Sequence, residues 1–153
     1  DRYHHADPGI NSRLDDIQAA ILGARLPRLE EWTARRRALA AMYRRELEGV
    51  SGLVAVPPEC DAGHVYHLFT VRSPRRDALR AHLAAAGIET LIHYPIPIPR
   101  QPALAAESPA ECPVADSVCE EILSLPLYPA MPDGHVSEVA GRIREFGMQS
   151  PEE

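Results

Sequence analysis

Seven histidines and a complete lack of lysine are the first features of this sequence with chemical consequences. All sixteen basic residues are arginines, so no side-chain amine is present to form an imine with a carbonyl compound. The histidines fall as His4-His5, His64 and His67, His93 beside Tyr94, and the separate His82 and His135. Metal ligation is the first chemistry to consider. On a strand, however, His64 and His67 would point to opposite faces and could not converge on one ion, so they read as polar residues near a sheet end. His82 and His135 fall on helical patterns and read as surface residues. His93-Tyr94 differs, because a strand pattern ends there and the run Pro95-Ile-Pro-Ile-Pro99 begins. Proline fixes its own φ, so the run would hold both rings at little entropic cost. That suits a ligand site as well as it suits packing.

Other catalytic arrangements find no support. No G-x-S-x-G nucleophile elbow and no Gly-rich phosphate loop occur. Cys60, Cys112 and Cys119 are odd in number and form no C-x-x-C pair, which favours reduced thiols in a cytoplasmic protein over a disulfide framework or a zinc site. A net charge of −6 argues against nucleic acid as the main partner. The clusters Arg35-Arg36-Arg37, Arg44-Arg45 and Arg75-Arg76 are local exceptions; on the two helical segments they alternate with glutamates and read as solvated helix faces.

The elements that must position these residues follow from periodicity. Leu14, Ile17, Ile21 and Ala24 recur at helical spacing behind Asn11 and Ser12, with Asp15 three residues after Ser12 as in a capping box. Beyond Pro27 the pattern resumes at Leu29, Trp32, Leu39, Tyr43 and Leu47, and Gly49 closes it. Two helices or one kinked helix are expected over positions 12 to 48. Leu53 to Val56, Val65 to Arg72 and Ile88 to Tyr94 read as strands. Ser73-Pro74 reads as a cap and first-turn proline for a helix with Leu79 and Leu83 on its buried stripe, ended by Gly87. Val114 to Ile122 reads as helix and Leu123 to Leu127 as briefly extended. The last helix carries Val136, Val139, Ala140, Ile143 and Phe146 behind Asp133 as a cap. Helices and strands out of strict alternation imply an α+β domain, with helices packed on a small, mainly antiparallel sheet.

At 153 residues, with 45% hydrophobic and 25% charged positions, the chain has the composition of one soluble globular domain. Fifteen prolines, most of them between Pro95 and Pro132, imply a wrapped, irregular connection there. A first residue Asp1, rather than methionine, reads as a start inside a longer chain.

Six ordered segments resemble one family. Gly9 to Leu22 (GINSRLDDIQAAIL) is similar to the G-Y-N-S-R-L-D-E-I-Q-A-A-I-L stretch of the DegT/DnrJ/EryC1/StrS sugar aminotransferases. Leu26 to Trp32 with Arg35 to Arg37, His64 to Phe69, Arg76 to Leu79, Ile92 to Pro97 with Gln101 to Ala103, and Leu123 to Pro126 follow in the same order. The resemblance implies the small C-terminal domain of a fold-type-I aminotransferase. Its large N-terminal domain would carry the lysine that binds pyridoxal 5'-phosphate. It further implies that Asn11 reaches the cofactor phosphate of the neighbouring subunit, with Arg13 adding charge, and that His93 and Tyr94 line a nucleotide-sugar pocket. Relatives have Tyr in place of Ile10, His-Leu in place of Pro99-Arg100 and Tyr in place of Leu104. The second difference adds a fixed charge, and Arg100 could approach a substrate pyrophosphate.

The expected organisation is a helical segment over 1–48 that links to the large domain and contributes to a dimer interface, a small C-terminal domain over 49–148, and a polar tail over 149–153. The expected function of the parent protein is transfer of an amino group from an amino acid, glutamate being the expected donor, to a nucleotide-linked keto-sugar. Its partners would be a second subunit, the large domain, the nucleotide sugar and the amino-acid donor. The chain alone would be inactive for want of a lysine. A non-catalytic interaction module, or a relative that dehydrates sugars with the lysine replaced, are the alternatives.

Overall fold

A computed structural model describes residues 14–54, 56–59, 63–102 and 110–149. Asn11, Ser12, Arg13, Cys60 and Leu104 lie outside the described residues. The chain forms two compact units, Asp1–Trp32 and Thr33–Glu153.

In the first unit, α1 (Asp16–Arg25) starts at Asp15, whose carboxylate accepts the Ile17 N–H at 2.9 Å. A three-residue 3-10 turn, Leu26–Arg28, follows with Pro27 inside it, and α2 (Leu29–Leu47) begins immediately after. The expected pair of helices is therefore present. No residue of α1 is buried, and Ile17, Ile21 and Leu22 are all exposed.

In the second unit, the α2 stripe Leu39, Ala40, Tyr43 and Leu47 enters the core. That burial places this part of α2 in the compact unit that begins at Thr33. Tyr43 stacks on Phe69 at 4.9 Å between ring centroids and donates its hydroxyl to the Pro126 carbonyl at 2.9 Å. Burial, and secondarily Tyr128, push its phenol pKa well above the ordinary value, so it remains a neutral donor.

The sheet is smaller than the sequence implies. Strands β1 (Phe69–Arg72) and β2 (Ile122–Leu125) pair antiparallel, with Phe69 opposite Leu125 and Thr70 opposite Ser124. Val65 to Leu68 does not join β1, because Tyr66 takes φ +49° and turns the backbone out of extension. Among the described residues of Leu53 to Val56, Val54 N–H bonds the Arg72 carbonyl at 2.9 Å. Ile88 to Tyr94 keeps its alternation, with Ile88 and Thr90 buried and Glu89 and Leu91 exposed. It pairs with β2 at one point only, where Leu91 and Ser124 exchange two backbone hydrogen bonds at 3.2 and 2.7 Å. Among the described residues the unit also holds α3 (Arg76–Ala85), α4 (Pro113–Glu121) and α5 (Asp133–Met148). Gly87 has φ +75°, the left-handed geometry expected just past α3. The architecture is helices on a small antiparallel sheet, as the α+β reading requires.

Two expected caps shift. Ser73 lies three residues before α3, where its hydroxyl donates to the Gly52 carbonyl at 2.6 Å and accepts the Arg75 N–H at 3.3 Å. Asp133 is the first residue of α5 and pairs with Arg35 at 2.6 Å.

The arginine clusters are the largest departure from expectation. Arg35 donates to the Met131 carbonyl, Arg36 to the carbonyls of Tyr66, His67 and Leu127, and Arg37 to that of His64. Arg75 bonds the Phe146 carbonyl and sits 4.2 Å from its ring centroid, while Arg76 bonds the Cys119 carbonyl. Arg44 reaches the Tyr66 hydroxyl, and Arg144 pairs with the Glu46 carboxylate. A chain with few strand pairs leaves many carbonyls without backbone donors, and the forked guanidinium supplies them.

Candidate functional site

A cavity of about 540 Å³ opens in the second unit, within the usual size range of small-molecule pockets. Its wall includes His67, His93, Ser124, Tyr128, His135 and Glu138. The pairing of Leu91 with Ser124 brings His93 to the side of β2. There its Nδ1 lies 2.9 Å from the Ser124 hydroxyl. Arg36 fixes the His67 wall through the carbonyls of Tyr66 and His67.

Each sequence-predicted site residue has a definite place or falls outside the described residues. His93 is half-buried in the cavity wall. Tyr94 follows through a cis peptide bond, is 74% exposed, and meets the His93 ring edge-on at 5.8 Å without lining the cavity. Arg100 ends the 3-10 turn Ile98–Arg100 and binds Asp116 with both ends of its fork, at 3.2 and 2.9 Å. Its hydrogen bond holds the Asp116 carboxyl below the usual range. The carboxylate occupies the geometry a phosphate would use. Asn11 and Arg13 belong to the undescribed stretch.

His64 and His67 do not stand on opposite faces of a strand. His64 Nδ1 accepts the Tyr66 N–H at 3.1 Å, and His67 lines the cavity. His82 is half-buried, with Nε2 3.0 Å from the Arg142 carbonyl. Among the described residues no cluster of three metal-ligating side chains exists. Nor, among them, is any helix long and apolar enough to cross a membrane. Cys112 and Cys119 are free thiols.

Ser124 and Glu138 were not singled out from the sequence, and His135 was read only as a surface residue. The one available signal was Ser124 itself, a polar residue between Leu123 and Leu125 in an extended run. Thr90 offers a stability test, since its residue is buried and its hydroxyl has no hydrogen-bond partner among the described residues. A buried hydroxyl without a partner costs free energy. Thr90→Val is therefore expected to raise stability by about 1 kcal/mol, seen in urea unfolding as a higher midpoint at unchanged slope. A lower midpoint would show that the hydroxyl is bonded in solution.

The sequence model of the DegT/DnrJ/EryC1/StrS aminotransferase family matches residues 1–144. The chain belongs to that family. It is 46% identical over 147 residues to the dTDP-3-amino-3,4,6-trideoxy-alpha-D-glucose transaminase of Streptomyces venezuelae, covering 95% of this chain and 39% of the relative. It is 42% identical over 149 residues to a pleiotropic regulatory protein of Geobacillus stearothermophilus, covering 95% of this chain and 40% of the relative. Among solved structures it resembles S. venezuelae DesV in complex with a ketimine intermediate, with a TM-score of 0.86 and 44% identity over 97% of this chain and 41% of that one. The chain thus spans about two-fifths of the length of the curated relatives it matches.

The cavity is a poor match for the cofactor that the family implies. No lysine is present to bind the aldehyde. The cavity wall includes Glu89 and Glu138 and, among the described residues, no arginine, a poor match for a phosphate.

Proposed function

We propose that the protein of which this chain is the C-terminal part transfers an amino group from glutamate to a keto-sugar linked to a nucleotide, using pyridoxal 5'-phosphate held mainly by the rest of the protein. The observation that carries this reading is the 46% identity, over almost the whole chain, to a transaminase named for a dTDP-linked amino sugar. When bound, the cofactor would supply the electron sink; this chain would position substrate. His93 would meet the substrate from the cavity wall, and Tyr94, exposed beside it, would meet it outside the cavity. Arg100 could reach a pyrophosphate only after leaving Asp116. Asn11 and Arg13 would serve the cofactor phosphate of a neighbouring subunit. The exposed apolar residues Ile17, Ile21 and Leu22 of α1 would be covered by the large domain and a second subunit. The chain by itself would be inactive.

The test uses the full-length protein, dTDP-3-amino-3,4,6-trideoxy-alpha-D-glucose and 2-oxoglutarate, with glutamate formation as the readout of the reverse reaction. His93→Ala is expected to raise the KM for the amino sugar and leave cofactor affinity nearly intact. Asn11→Ala is expected to weaken cofactor affinity by about 10- to 100-fold, the loss of one hydrogen bond to a charged group. If both variants melt earlier and both affinities drift together, the two residues are scaffold and the site is misplaced.

The name of the Geobacillus relative favours one other reading, a regulatory protein without catalysis. A parent protein that forms no glutamate would support it.

A further inference from the structure

Ser124 occupies the central position of the sheet. Its backbone is opposite Thr70 on one side and exchanges two hydrogen bonds with Leu91 on the other. The residue is buried, with 4% exposure, so its hydroxyl has little access to water. Among the described residues that hydroxyl has a single partner, His93 Nδ1, at 2.9 Å. No protein partner is described for His93 Nε2, and His93 lies in the cavity wall.

The direction of this bond follows from counting hydrogens. A serine hydroxyl carries one donor hydrogen and two acceptor lone pairs, whereas a neutral imidazole carries one N–H and one bare nitrogen. If Nδ1 carried the proton and donated, the Ser124 hydrogen would be buried with no acceptor. If Ser124 donates to a bare Nδ1, only serine lone pairs go unused. An under-used acceptor is more common in proteins than an orphaned buried donor.

Hence we infer that Ser124 is a positioning residue, donating to His93 Nδ1 and holding the neutral ring as its Nε2–H form, so that the cavity presents a hydrogen-bond donor to an uncharged oxygen of the ligand. The ligand chemistry follows. A donor N–H recognises a carbonyl or hydroxyl oxygen, and the carboxylates of Glu89 and Glu138 in the same wall disfavour an anion. The cavity suits the sugar ring of a nucleotide sugar and not its diphosphate. This rests on the reading that His93 contacts substrate. Ser124 acts only through His93, because the bond fixes which ring nitrogen bears the proton and where it points.

Two measurements on the full-length protein test the inference. The first is the tautomer of His93, read from imidazole nitrogen shifts in histidine-labelled protein without substrate at pH 8, with the signal assigned through His93→Gln. The expected result is a protonated Nε2 and a bare Nδ1, a preference lost in Ser124→Ala and kept in Ser124→Thr. A protonated Nδ1 in the parent, or no change in Ser124→Ala, overturns the inference. The second is reverse transamination of dTDP-3-amino-3,4,6-trideoxy-alpha-D-glucose. Ser124→Ala should raise KM about fivefold, the worth of one oriented neutral hydrogen bond, with kcat within a factor of about two. Ser124→Thr should restore KM. An unchanged KM, or a fall in melting temperature and kcat with no rise in KM, overturns the positioning role. A parent protein with no transaminase activity would sink the substrate reading and this role together. The tautomer measurement needs no substrate, so it can fail while the aminotransferase reading stands.

Discussion

Gly147→Ala is expected to destabilise the protein by about 3 kcal/mol, the upper part of the range for overpacking a closely packed site. A Cβ at this position would lie 2.2 Å from the Ser51 carbonyl oxygen and 3.0 Å from the Ser51 carbonyl carbon. Both are backbone atoms, so no side-chain rotation relieves the overlap. The turn that carries them is itself held, since Ser73 donates to the Gly52 carbonyl at 2.6 Å. On the other side, α5 is fixed by Ile143 and Phe146 in the core. Gly141 is the control. It lies on the same helix, and a Cβ there meets nothing within 4 Å. Gly141→Ala should stabilise by up to about 1 kcal/mol through helix propensity alone. Thermal unfolding of the two variants checks both signs. Equal behaviour would mean that Ser51 does not approach the helix in solution.

That contact illustrates what periodicity can and cannot show. The α5 stripe of Val136, Val139, Ala140, Ile143 and Phe146 was legible because one buried face repeats every three to four residues, and all five are buried. Gly147 continues the same face, but a glycine gives no hydrophobic signal, and its partner lies almost a hundred residues away. The strand expectations were too long for a related reason. Val65 to Leu68 has β-forming residues, yet Tyr66 takes a left-handed conformation and its carbonyl is bonded by Arg36. Intrinsic preference for extension is weak beside such tertiary contacts.

The candidate site was legible in one residue. His93, at a strand exit before a proline run, lies in the cavity wall, where the single bridge from Leu91 to Ser124 carries it. Its neighbours in the wall were illegible. His135 and Glu138 lie on the exposed side of α5 and look in sequence like any solvated helix face. His67 was misjudged because the strand meant to carry it does not form. Arg100 has the right chemistry for a phosphate, but nothing in the sequence pairs it with Asp116 sixteen positions on.

Arg36→Met should destabilise by about 3 kcal/mol even though the methionine retains much of the stem's packing surface. A single terminal nitrogen, Nη1, lies 3.2, 3.2 and 3.0 Å from the carbonyls of Tyr66, His67 and Leu127. It has two hydrogens for three acceptors, so one bond is shared and the set counts as about two full bonds to a charged donor. Breaking them leaves carbonyls from three residues seeking water at the foot of a half-buried helix face. Arg36→Lys should recover only part of the loss, because the ammonium has three hydrogens for the three acceptors but its stem is shorter and does not carry it as far as Nη1 reaches. Urea unfolding of the parent and both variants is the measurement. A change below about 0.5 kcal/mol for Arg36→Met would return this cluster to the solvated helix face that its sequence suggests. The consequence for the site is separate and visible: His67 and Leu127 both line the cavity and both hang from Arg36. Arg36→Met should therefore increase amide hydrogen exchange at His67 and Tyr128 more than at the α3 residues Leu79 and Leu83, which share the core but none of these bonds.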